Sequence, residues 1–185
     1  MGHGGNVIEE LMVDHREVEE MFERFKALPP GTLQRGEIAH EFTVELVRHS
    51  VAEEMYLYPA VRKHVDGGDT IADREIADHA EVEKLLKRLE GLDAADSEFD
   101  AVAARLMTEV TSHVADEEQN LFPALAAACT PADLDELGDK IRSAKAKAPT
   151  RPHPSAPDTP PLNKLLAPGA GLVDRARDLL AGHGH

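Results

Sequence analysis

Two stretches of the chain spell one phrase. HSVAEEMYLYP runs from His49 to Pro59 and HVADEEQNLFP from His113 to Pro123, an H-x-x-x-E-E-x-x-L-aromatic-P pattern repeated at an offset of 64 residues. A shorter phrase repeats at the same offset: Asp14-His15 with Val18-Glu19 returns as Asp78-His79 with Val82-Glu83. Residues four apart share a helix face, so His49 stacks with Glu53 and His113 with Glu117. Leu46, Val47 and Leu57 flank the first pair, and Leu106, Val110 and Leu121 the second, which turns both pairs toward a core. By the same test His15 aligns with Leu11 and Met12, and His79 with Ile76 and Leu86. Carboxylates buried without a partner are costly, and a bound cation would satisfy all six groups at once.

Imidazole and carboxylate donors without a thiolate suit iron, manganese or zinc. Six ligands are too many for one tetrahedral zinc. They fit two metals bridged by Glu53 and Glu117. Two six-coordinate metals offer roughly twelve positions. Four histidines, two bridging glutamates and an oxygen bridge leave about two of these open, the mark of a reactive centre rather than a closed structural one. The chemistry expected of such a centre involves oxygen or peroxide.

Helices must carry these groups. Apolar residues at helical spacing predict a first helix over about 6–28, capped by Asn6 and stopped by Leu28-Pro29-Pro30-Gly31. A second runs from about Thr32 to Val65, a third from Thr70 to Leu89, and a fourth from near Ser97, with Asp100 at capping-box spacing, to Ala128. Thr130-Pro131 opens a shorter fifth helix, to about Ala146. No alternation suggests a strand. The expected fold is all-α, an up-down-up-down four-helix bundle over 1–147 that includes the short fifth helix. Ala148 to Pro161 reads as a Pro-rich linker, and Leu172, Val173, Ala176, Leu179 and Leu180 as the stripe of a short amphipathic helix in a 148–185 tail.

Bulk properties narrow the partners. Asp plus Glu number 35 against 20 Lys plus Arg, a formal charge of −15, which opposes binding to nucleic acid. The longest apolar run, Leu121 to Cys129, is too short to span a membrane. The N-terminus shows no secretory pattern, and one cysteine, Cys129, allows neither an internal disulfide nor a thiolate cluster. The expected compartment is the cytoplasm.

His15, His49-x-x-x-Glu53, His79 and His113-x-x-x-Glu117 resemble the signature of hemerythrin-like, or HHE cation-binding, domains over roughly residues 6 to 128. The resemblance implies a non-haem centre of two Fe ions, oxo- or hydroxo-bridged, with Mn or Zn as lesser alternatives. Its outlets are binding of O2, peroxide or NO, catalase-like peroxide turnover, or iron and oxygen sensing through a protein partner that reads the tail. Oxygen carriers of this family have a second histidine one turn after the third-helix histidine; Glu83 stands there, which favours sensing or peroxide turnover over reversible carriage.

Further candidates surround the six. Glu118 competes with Glu117 as ligand, the parallel with Glu53 favouring Glu117. Glu19 reads as an acceptor for a ring N–H, and Glu83 as either ligand or acceptor. Tyr56, one turn beyond Glu53, is a ligand, hydrogen-bond donor or radical sink if not simply packed in the core. Tyr58 and Phe122 read as packing aromatics, and Pro59 and Pro123 should loosen the turns near the carbonyls of Met55 and Gln119. His3, His153, His183 and His185 read as exposed, and His40 of Glu37-x-x-His40 as a bystander.

Overall fold

The computed structural model describes residues 4–148, which among them form helices and turns and no strand. Helix α1 is Val7–Ala27 and α2 is Leu33–Ala52. A π-helical turn, Glu53–Leu57, carries α2 without interruption into α3, Tyr58–His64. Helix α4 is Gly68–Glu90 and α5 is Phe99–Asp116. A second π turn, Glu117–Leu121, leads into α6, Phe122–Ala128, and α7 is Pro131–Lys147. The result is the expected all-α bundle: four antiparallel rods, with α7 packed against α1, α2 and the first π turn. The terminal stripe and the linker from residue 149 on lie outside the described residues, as does His3. Among the described residues no helix is long and apolar enough to cross a membrane.

The helix ends follow from local chemistry, with one difference from the sequence reading. Asn6 caps α1 by accepting the N–H groups of Ile8 and Glu9, while Glu9 reaches back to the Asn6 N–H in a capping box. Thr130 and Asp133 build the same box at α7, with Pro131 in the first turn. The expected cap near Ser97 does not form. Helix α5 begins at Phe99 without a side-chain cap, because Asp93 and Asp96 bond each other's turn and Asp100 is drawn to Arg35. Helix α7 lies so close to the start of α1 that a Cβ at Gly138 would stand 2.8 Å from the Gly5 carbonyl oxygen.

Both π turns sit one residue before a proline in the repeated phrase. Proline cannot donate to the carbonyl four residues back, so the helix widens to i→i+5 bonding, with the Tyr58 N–H reaching Glu53 O and the Phe122 N–H reaching Glu117 O. The proline ring then falls within the first turn of the next helical segment, where a missing N–H costs little. The loosening expected at Pro59 and Pro123 thus takes a definite form. It lands on Glu53 and Glu117.

The buried apolar residues divide into two clusters. One holds Val18, Phe22, Phe25, Phe42, Leu46, Leu86, Phe99, Leu106 and Val110 among others; the second holds Val7, Leu11, Leu57, Tyr58, Leu121, Leu125 and Ile141. Along each of the four rods, His15, the pair His49 and Glu53, His79, and the pair His113 and Glu117 fall where one cluster gives way to the other. A polar layer is therefore sandwiched between two dry ones. Phe42 anchors the first, fully buried with its ring edge-on to Phe22 and Phe25. Phe42→Ala should lower the unfolding free energy of the metal-free protein by about 3–5 kcal/mol in urea titrations.

Candidate metal centre

Glu53 and Glu117 are fully buried and face each other across the polar layer. His49 Nε2 lies 3.0 Å from Glu53 Oε1, and His79 Nε2 lies 3.3 Å from Glu53 Oε2. His15 Nε2 and His113 Nε2 approach Glu117 Oε2 at 3.4 and 3.7 Å. Donor atoms of His15, His49, Glu53 and Glu117 all fall within 4.8 Å of one another, and so do those of Glu53, His79 and His113. A third such group joins Glu75, His113 and Glu117, so Glu53 and Glu117 each belong to two groups, the arrangement a bridging carboxylate needs. His15 Nε2, Glu53 Oε1 and Glu117 Oε2 are buried yet lack a hydrogen-bond-aligned partner. Buried donor atoms left unsatisfied within 4.8 Å of one another fit a cation among them.

Each imidazole turns its other nitrogen outward to a carboxylate. His15 Nδ1 meets Glu118 Oε1 at 2.9 Å and His79 Nδ1 meets Glu54 Oε1 at 3.2 Å, a pair related by the 64-residue repeat. His49 Nδ1 meets Asp14 Oδ2 at 3.2 Å, and His113 Nδ1 lies at ion-pair distance, 3.0 Å, from Glu75 Oε2, though without hydrogen-bond alignment. A carboxylate at Nδ1 holds the tautomer that leaves Nε2 free to ligate and fixes the ring plane. The two glutamates of each E-E pair thus divide the work. The first points to the centre, and the second orients a histidine on a neighbouring helix.

The additional candidates separate clearly. Tyr58, not Tyr56, reaches the centre: its hydroxyl lies 3.0 Å from His79 Nε2, 3.1 Å from Glu117 Oε1 and 3.5 Å from Glu53 Oε2. The wide π turn explains the exchange. In an α-helix Tyr56 and Leu57 would follow Glu53 on its face, but i→i+5 winding brings the fifth residue over it. Tyr56 instead lines a surface groove with Lys63, Cys129 and Lys140. Glu19 is at the surface, bonded to Arg16 at 2.5 Å rather than to His15. Glu83 is buried and pairs with Lys87 at 3.4 Å, and its donors join none of the three groups. Glu118 orients His15 rather than joining the inner set. Phe122, the repeat mate of Tyr58, stacks on His15 with ring centres 5.7 Å apart. Asp14, Glu54 and Glu75 escaped the sequence reading, and only the adjacency of Asp14 to His15 and of Glu54 to Glu53 hinted at two of them.

On the side away from Tyr58 a cavity of about 20 Å³ adjoins all four histidines. Its apolar wall is Val18, Leu46, Val82, Val110 and Val114, with Ser50 completing three pairs related by the repeat. The space suffices for one water-sized molecule.

The chain matches the family model described as the hemerythrin HHE cation binding domain over residues 6–125. It belongs to that family. An uncharacterised hemerythrin-like protein of Schizosaccharomyces pombe is 28% identical over 172 residues, covering 92% of this chain and 84% of its own length. A protein of Nostoc named DNA nickase is 28% identical over 144 residues, covering 77% of this chain but only 40% of its own. The crystal structure of a hemerythrin HHE cation-binding domain-containing protein from Mycobacterium kansasii superposes with a TM-score of 0.67 at 22% identity, over 77% of this chain and 86% of that one. The family binds cations, and the buried His/Glu groups of this member could hold metal ions.

The electrostatics bear on the metal-free protein. Burial pushes the Glu53 carboxyl up, but His49 and His79 outweigh it and hold the group well below the usual carboxylate range. Burial pushes the imidazoles down, but Glu53 and Glu54 raise His79 to about 10, and Glu53 with Asp14 raise His49 well above its ordinary value. A raised imidazole stabilises the fold fully below its unfolded pKa, about 6.5, and that contribution is lost as pH climbs through the folded value. Glu53 contributes above about 4.5 and less as pH falls below it. The metal-free bundle should therefore lose stability between pH 7 and 10 in urea titrations, and metal uptake should strengthen with pH because it displaces these protons.

Proposed function

We propose that the chain holds two iron ions, His15, His49, His79 and His113 serving as nitrogen ligands and Glu53 and Glu117 as bridging carboxylates, and that it binds or reacts with O2, peroxide or NO there. The observation that carries this reading is the sharing of Glu53 between two buried donor groups. One zinc would need no such sharing. Iron, when bound, supplies the one-electron chemistry that these small oxidants require and that no side chain of the layer offers.

The protein's own groups prepare the place. The carboxylates at the four Nδ1 atoms keep the imidazoles in register, and the valine-lined cavity beside them has room for one water-sized molecule. The Tyr58 hydroxyl is buried, and burial together with Glu117 and Glu53 holds its pKa well above the ordinary phenol value. In the metal-free protein it is therefore a neutral donor to Glu117 Oε1. Were iron bound, the hydroxyl would be within reach to give up its proton or, once deprotonated, to ligate on the side bearing His79. Phe122 offers no such group beside His15.

A sensing reading is favoured by one contact. Helix α7, which leads into residues 149–185, bonds Asp14 through Lys145, and Asp14 bonds His49. A partner that reads the tail would then sense the state of the centre.

Protein purified from iron-replete cells should carry two irons per chain, absorb in the near ultraviolet, and release O2 from added peroxide, with release lost in His113→Ala. Tyr58→Phe should keep both irons, since Phe122 shows the repeat position accepts phenylalanine, but should alter the spectrum. One tightly held zinc and no colour would contradict the reading. Two irons without peroxide turnover, joined to iron-dependent protease resistance of residues 149–185, would select sensing.

A further inference from the structure

Three of the carboxylates that orient the histidines have a cationic side chain behind them: Arg16 behind Glu118, Arg74 behind Glu75, and Lys145 behind Asp14. They differ in setting. The Arg16 and Arg74 side chains are 49% and 54% exposed, so water and salt screen them, whereas Lys145 is 8% exposed and Asp14 7%. Lys145 is also the one that comes from α7, which lies beyond the residues 6–125 that the family model matches.

We propose that Lys145 is a positioning residue of the metal centre, locking Asp14 so that Asp14 can lock His49; this rests on the metal-binding reading above. Lys145 Nζ bonds Asp14 Oδ1, and His49 Nδ1 meets Asp14 Oδ2 at 3.2 Å. With both oxygens engaged from opposite sides, the carboxylate plane is fixed, and the imidazole plane follows. Lys145 is itself held. Its ammonium also reaches Glu10 Oε1 at 3.2 Å, and Arg142 grips Glu10 Oε2 at 3.3 Å.

The internal repeat supplies a comparison within one molecule. Asp78 is the repeat mate of Asp14 and precedes His79 as Asp14 precedes His15. Yet His113, the mate of His49, turns its Nδ1 to Glu75. Asp78 is exposed, whereas Asp14 is buried between His49 and Lys145. Helix α7 packs on α1 and α2, and there a lysine meets the aspartate. The two otherwise similar halves of the centre are thereby made unequal, and the His49 side depends on a helix from outside the bundle.

The test is anaerobic Fe2+ titration of the full chain against a chelator, in wild type, Lys145→Met, Lys145→Arg and Arg142→Met. Lys145→Met should weaken one of two Fe2+ ions by about 10- to 100-fold and leave the other near wild type. Lys145→Arg should recover most of the loss, since the charge near Asp14 returns. Arg142→Met, which loses a Glu10 contact on the same helix but touches no part of Asp14, should bind both ions as wild type does. If Lys145→Met does not fold, Lys145→Gln, which keeps an N–H donor without the charge, is read the same way. Wild-type affinity at both positions in the folded variant overturns the proposal, as does an equal loss in Arg142→Met, which would reduce Lys145 to helix docking. A wild-type chain that takes up no Fe2+ defeats the metal reading itself, a failure distinct from unchanged binding in Lys145→Met.

Discussion

Six carboxylates converge on one buried layer of a helical bundle, and their mutual repulsion is the problem the surrounding structure answers. Glu53 and Glu117 lie at the centre, with Asp14, Glu54, Glu75 and Glu118 around them. Like charges in a medium poorer than water in dielectric screening cannot share a site unless positive charge stands between them. Imidazoles fill the gaps, each bracketed by an inner and an outer carboxylate. In the metal-free protein these carboxylates raise His49, His79 and His113 above the ordinary imidazole range against the effect of burial. On the proposed reading, bound cations would replace these protons and the imidazoles would ligate in their neutral form.

The apolar clusters on either side make that layer rigid. Close-packed Phe22, Phe25 and Phe42 on one side and Leu57, Leu121 and Leu125 on the other leave the four rods no freedom to splay. The prolines then adjust the register locally. Each π turn ends immediately before a proline-led segment and begins at a central glutamate, so a backbone irregularity in the bundle serves ligand geometry.

A repeated sequence would give a symmetric centre, and this one is not symmetric. Tyr58 lies beside His79 where Phe122 lies beside His15, and Asp14 is held by α7 where Asp78 is not used. Unequal surroundings allow two metals with different affinities or potentials, which suits stepwise reaction with an oxidant better than paired structural ions.

Much of this could be read from the sequence, because helices write their faces into spacing. The H-x-x-x-E interval, its recurrence and the flanking leucines brought the six groups together, and caps such as Asn6 and Thr130 gave the helix starts. What spacing could not give was anything set across helices or by altered winding. The α-helical period offered Tyr56, with core packing as its simpler reading, and left Tyr58 as a packing aromatic, whereas π winding brings Tyr58 to the centre. Glu118, Glu54 and Glu75 orient histidines on other rods, and Lys145 acts from a helix whose packing partner no local signal named. Glu19 was misplaced by the same limit: one turn from His15 on its own helix, it faces Arg16 and water.

The central claim is that these donors surround a pair of cations, and anomalous diffraction from crystals of the iron-loaded protein tests it most directly. Maps recorded on either side of the iron absorption edge should contain two peaks per chain, one among His15, His49, Glu53 and Glu117 and one among Glu53, His79 and His113. A single peak, or peaks that avoid Glu53, would contradict it.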